Sequence, residues 1–133
     1  MGNHLLAIED FKEAIEDHKD NPWSLYYLGV SLLKSGDPRE ALIPLNRAEN
    51  LPYANENPGI SNALGLAYHQ LGNSEEAHTF FQNSIEQAKS SEDLVEFLCN
   101  RANLHYDEKK YELATKDIEK AIDKDPENSK VHY

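Results

Sequence analysis

The chain has 133 residues, of which 28% are charged and 39% hydrophobic, a balance that excludes a disordered polypeptide and provides for one core of moderate size. Acidic residues outnumber basic ones 24 to 13, for a formal net charge of −11. That field repels phosphate backbones and anionic headgroups, which argues against nucleic acid and membrane surfaces as partners and favours neutral or basic ones.

In chain order the apolar spacing predicts seven helices and no strand of useful length: Leu5–Asp17, Trp23–Lys34, Pro38–Asn50, Gly59–Gln70, Ser74–Ser90, Glu92–Tyr106 and Tyr111–Lys124. The second helix reads Leu25, Leu28, Gly29, Leu32 at i, i+3, i+4, i+7, and the fourth repeats it with Ser61, Leu64, Gly65, Tyr68. Gly36-Asp37-Pro38 separates the second and third helices, with Asp37 suited to cap, Pro38 to the first helical position and Glu40 to the third. Pro44 removes an amide donor inside the third helix and should bend it. After a longer linker at Pro52–Asn57, Gly72-Asn73-Ser74 repeats the earlier turn, with Asn73 as cap and Glu76 in the corresponding place. The last turn, Asp107-Glu108-Lys109-Lys110, has no glycine; it avoids a positive φ or Lys109 tolerates one. No apolar run is long enough to span a bilayer and no signal peptide is recognisable, so a cytoplasmic location is expected.

Small residues recur in phase. Gly29 and Ala41, Gly65 and Ala77, and Ala102 and Ala114 are each 12 positions apart; Ala41 and Ala48, Ala77 and Ser84, and Ala114 and Ala121 are each 7 apart. Ala7, Phe11 and Ala14 precede Ala41, Leu45 and Ala48 by 34 positions. Gly or Ala on both sides of a helix crossing lets backbones approach, and a larger neighbour fills the adjacent gap. Units of this kind cannot fold alone and must stack, which points to a scaffold with a surface and away from a catalytic pocket.

The chemistry-bearing residues agree with that reading. There is no glycine-rich phosphate loop, nucleophile elbow or paired-carboxylate motif, so neither enzymatic activity nor a cofactor is expected. The histidines, His4, His18, His69, His78, His105 and His132, include no i, i+4 pair, and no metal site is expected. His105 falls on a packing position and reads as a core-edge residue with a satisfied nitrogen. Cys99 is the only cysteine and has no neighbouring base in sequence; it reads as a small, partly buried hydrophobe. Glu75-Glu76 and Glu92-Asp93 open helices, where they complement the dipole.

The in-phase residues resemble the tetratricopeptide repeat family, whose 34-residue helix-turn-helix unit carries a W-x₂-L-G-x₂-Y…A-x₃-F…P signature. Repeat one (22–57) carries Leu25, Leu28, Gly29, Leu32, Gly36, Ala41, Leu45 and Ala48. Repeat two (58–94) carries Leu64, Gly65, Tyr68, Gly72, Ala77, Phe81 and Ser84, and repeat three (95–128) Leu98, Ala102, His105, Tyr111, Ala114, Ile118, Ala121 and Pro126. Residues 5–19 match the second half of a preceding unit, and 129–133 begin another first helix, so 1–133 reads as a single repeat domain. The resemblance implies an all-α, right-handed solenoid of antiparallel helix hairpins. Departures are the 36- and 37-residue spacings of the repeat starts and Arg101 in place of the usual leucine.

The resemblance also implies a function: protein–protein interaction, with an extended peptide or a helix held in a concave groove lined by the first helices. The second, fifth, ninth, twelfth and thirteenth repeat positions face that groove, which here singles out Trp23, Tyr26, Val30, Leu33, Asn62, Leu66, His69, Asn103 and Tyr106, with Lys34, Gly59, Gln70, Glu96, Cys99 and Asp107 also on the inner face. One end is aromatic and aliphatic, the other polar and acidic. Asn62, Asn100 and Asn103 offer paired donors and acceptors to a ligand backbone. The basic clamp by which some family members hold the carboxylates of chaperone tails is absent, because its positions here are Tyr26, Val30, Ala63, Glu96 and Asn100. Leu5, Ile8, Phe11 and Ile15 are too apolar for a capping outer face, so excision from a longer array, or self-association through the end helices, is the alternative reading.

Overall fold

The structure, a computed structural model, describes Glu13, Glu16, Asp17 and residues 21–125. Those three early residues are helical and exposed; the other expectations for residues 1–20 and for 126–133 lie outside the described residues. Six α-helices follow within 21–125: α1 (Pro22–Lys34), α2 (Pro38–Glu49), α3 (Gly59–Gln70), α4 (Ser74–Gln87), α5 (Ser91–Asp107) and α6 (Tyr111–Lys124), with a short 3₁₀ turn at Ala54–Glu56 between α2 and α3. No strand occurs among the described residues.

The helix starts follow from local side-chain chemistry. The Asn21 side chain accepts from the backbone N–H groups of Trp23 and Ser24 at 3.0 and 3.2 Å, ahead of Pro22 in the first position. Asn73 accepts from Glu76 N–H, and Ser90 from Asp93 N–H. Asp37 occupies the corresponding place before α2, but its side chain makes no capping hydrogen bond there. α2 runs through Pro44, which is buried. The additional residues between repeats two and three are absorbed by ending α4 at Gln87, turning through Ala88–Ser90 and starting a 17-residue α5 at Ser91.

One turn recurs three times. The N–H of Asp37 donates to the Leu32 carbonyl, that of Asn73 to Tyr68 and that of Lys110 to His105, at 2.9, 2.9 and 2.8 Å. This wrap closes a helix C-terminus through one left-handed residue. Gly36 and Gly72 serve at φ 82°, and Lys109 at φ 64°; the glycine-free turn therefore keeps its geometry and places a lysine where glycine is preferred.

Helices α1–α2, α3–α4 and α5–α6 form antiparallel hairpins, and each hairpin packs on the next through α2–α3 and α4–α5. Ala41, Ala48, Ala77, Ser84 and Ala121 have no exposed surface, and Ala102 and Ala114 are buried. A Cβ on Gly65 would lie 2.5 Å from Phe81 Cδ1, and one on Gly29 would overlap the Leu45 side chain. In the first two hairpins the large residue of the second helix thus sits on the bare backbone of the first, as the spacing requires. Buried Leu25, Leu45, Ile60 and Leu64 fill the first two hairpins; Phe81, Ala77 and Leu104 bridge to the third, and Val95, Leu98 and Ala121 continue the column.

Candidate protein-interaction groove

The first helices α1, α3 and α5 lie side by side, and their free faces enclose an open trough of about 770 Å³. Its walls are Tyr26, Tyr27, Val30, Leu33 and Lys34 from α1, Asn62, Ala63, Leu66 and Gln70 from α3, and Glu96, Cys99, Asn100 and Asn103 from α5. Of the nine residues singled out above, Tyr26, Val30, Leu33, Asn62, Leu66 and Asn103 line it. Trp23, His69 and Tyr106 do not. Trp23 is exposed in the first turn of α1, His69 Nε2 is held 2.7 Å from Asp107 Oδ2, and exposed Tyr106 packs edge-on against Tyr111 with ring centroids 5.2 Å apart.

Tyr27, Ala63 and Asn100 are all sixth positions of their repeats and line the trough where the positional rule omits them. They follow the fifth position by one residue, about 100° round the helix, so a wall wider than one stripe takes them in. The asparagines divide. Asn100 donates from Nδ2 to Asn62 Oδ1 at 2.9 Å, tying α5 to α3, while Asn103 is exposed.

Burial, then Glu96, Tyr27 and Asp93, hold the Tyr26 hydroxyl above the usual phenol range. It therefore stays protonated and able to donate at neutral pH. Lys34 is the sole lysine or arginine among the lining residues.

Behind the trough the third hairpin departs from the other two. In repeat two, Tyr68 stacks on Phe80 with planes 1° apart. Repeat three has His105 and Asp117 at those places, and Arg101 donates to both Asp117 carboxylate oxygens, from Nη2 at 2.7 Å and Nε at 2.9 Å, and also to Gln82. The arginine that replaces leucine is thus one half of a buried ion pair, its partner encoded 16 residues later. His105 is a core-edge residue, but the expected satisfied nitrogen fails at Nδ1, which is enclosed without a hydrogen-bond partner. Burial first, and then the balance of Asp117 against His78 and Arg101, holds its imidazole below the usual histidine range.

Sequence profiles of the tetratricopeptide repeat match residues 11–43, 59–91 and 95–128. The chain belongs to the tetratricopeptide repeat family, whose helical hairpins generally build non-enzymatic protein-interaction scaffolds. Among solved structures, that of PilF from Pseudomonas aeruginosa, reported in a functional characterisation of that protein, superposes with a TM-score of 0.74 at 20% identity. The alignment covers 92% of this chain and 54% of that one, so this chain spans about half of PilF's length and shares its fold. No curated protein sequence matches the chain. No described helix is long and apolar enough to cross a membrane.

Proposed function

We propose that this chain is a non-catalytic cytoplasmic adaptor that holds an extended peptide or a helix, apolar with basic residues, in the trough between α1, α3 and α5. The observation that carries this reading is the composition of the walls. Tyr26, Tyr27, Val30, Leu33 and Leu66 offer apolar anchoring surface, and Glu96 lines the same trough. Aromatic side chains bury large area at low rotamer cost, and a carboxylate beside them selects a Lys or Arg. The volume suits a few side chains of a bound segment.

Selection of a displayed peptide library on the purified chain tests it. Recovered sequences are expected to combine apolar anchors with Lys or Arg, to perturb backbone NMR signals of α1, α3 and α5, and to lose about tenfold in affinity for Tyr27→Ala or Glu96→Gln. Peptides that bind both variants as well as wild type, or perturb only the outer helices, would exclude the groove. Exposed Tyr111 and Leu113 on α6 favour a second reading, self-association through that end. Light scattering separates the two, because only self-association requires the mass to rise with concentration.

A further inference from the structure

His78, His105 and Glu108 come from two places in the chain and converge at the junction of the second and third hairpins, outside the trough. One ligand-capable atom from each lies within 4.8 Å of the others. His78, on α4, has Nε2 2.6 Å from Glu108 Oε1; Glu108 is the C-cap of α5, and His105 lies three residues before it with Nδ1 4.0 Å from the same oxygen. The imidazole rings are 5.0 Å apart. We propose that these three side chains bind a divalent transition-metal ion of the zinc type, clipping α4 to the end of α5.

Three observations support the assignment. The first is the orphaned Nδ1 of His105, an enclosed acceptor or donor that nothing in the protein satisfies. A buried polar atom without a partner carries a free-energy cost, and a metal bond removes it. The second lies on the other side of that ring, where His105 Nε2 is 3.7 Å from Asp117 Oδ2. Asp117 is itself fixed by Arg101. A carboxylate on one imidazole nitrogen directs the proton there and turns the other nitrogen's lone pair to a metal, the usual outer arrangement of a histidine ligand. The third is the donor set. Two imidazoles and one carboxylate suit zinc, leaving a fourth position for water, whereas calcium and magnesium prefer all-oxygen shells.

The distances need modest adjustment. Ligand atoms around tetrahedral zinc sit roughly 3.3 Å apart, as bonds of about 2.0–2.1 Å require. The His78–Glu108 contact must open and the His105–Glu108 separation must close, each by under an ångström, and the two histidine nitrogens, within 4.8 Å of each other, must close by up to about 1.5 Å. Lys110 Nζ lies 3.9 Å from Glu108 Oε1 but is half exposed and on a flexible stem, so it can swing into solvent. All three ligands are partly exposed, which gives the ion a route in.

The test uses the untagged full chain and the metal alone. Zinc titrated by calorimetry is expected to bind at one ion per chain and to raise the melting temperature by several degrees, with reversal by EDTA. Cobalt(II) is expected to give the intense visible bands of a four-coordinate site. His78→Asn and Glu108→Gln alter partly exposed side chains and are expected to stay folded by circular dichroism while losing tenfold or more in zinc affinity. His69→Asn, at the surface pair with Asp107, should change nothing. No saturable zinc binding to the wild type overturns the proposal, and so does binding that survives both His78→Asn and Glu108→Gln or is lost in His69→Asn.

Discussion

Lys109 and Glu49 show how single residues sit against the preferences of their positions. Lys109 holds φ 64° in a turn whose two counterparts are glycine, and a left-handed conformation costs a side-chain-bearing residue about 1 kcal/mol. Lys109→Gly should therefore stabilise the protein by about 0.5 kcal/mol, the larger unfolded-state entropy of glycine offsetting the rest. Urea denaturation measures it, with Lys109→Ala as a control that should gain nothing. Glu49 is the last residue of α2, where the helix dipole disfavours an anion, and burial holds its carboxyl above the usual carboxylate range. Because the folded state holds this proton more tightly than the unfolded one, stability falls as pH rises from the unfolded value through the raised folded one. Glu49→Gln should accordingly be more stable than wild type by about 0.5 kcal/mol at neutral pH, and melting curves should converge once the pH drops below the unfolded value.

At the scale of elements, α5 and α6 close on an ion pair where the other hairpins close on apolar contacts. Arg101 and Asp117 are 15% and 4% exposed at the side chain, so removing either partner strands a charge in the interior. Arg101→Leu alone should cost about 3 kcal/mol, while the pair Arg101→Leu with Asp117→Leu should recover most of that loss, since apolar groups of similar volume replace a buried pair at little cost. A double-mutant cycle by chemical denaturation decides it: additive losses would show that the two charges are not coupled. The helices themselves were legible in the sequence. Their periodicity, the caps at Asn73 and the turn glycines gave boundaries close to those observed, because these are properties of adjacent residues. The excess length between repeats two and three was legible only as a length, since a longer helix and a longer turn consume the same residues. The structure resolves it as a turn at Ala88–Ser90 and a long α5.

Across the whole molecule, each hairpin touches its neighbours, and cohesion passes through a few buried bridges. Leu104, 1% exposed, packs with Ala77 and Phe81 across the junction between α4 and α5. In a stacked array stability is the sum of unit and interface terms, so weakening one interface uncouples what lies on either side. Leu104→Ala should cost about 3 kcal/mol and split a single thermal transition into two, the earlier one reporting the third hairpin. One sharp transition at a lowered temperature would show instead that the array melts as a unit. The same stacking creates the trough, because three first helices set side by side leave a free face that no single hairpin possesses.

What the sequence determined on its own was the helices and their close pairing: Gly29, Gly65 and the buried alanines recur in phase, and small residues at a helix crossing let backbones nest. Through the family resemblance it also implied that Tyr26, Val30, Leu33, Asn62, Leu66 and Asn103 face inward, and these six line the trough. The tertiary structure alone decided that Tyr27, Ala63 and Asn100 join the wall while Trp23, His69 and Tyr106 stand outside it. It alone paired Arg101 with Asp117 and gathered His78, His105 and Glu108 at one junction. A helix face is set by neighbours three and four residues away, whereas the turn of one hairpin against the next is set by side-chain sizes at contacts distant in sequence, and local periodicity carries no record of that angle.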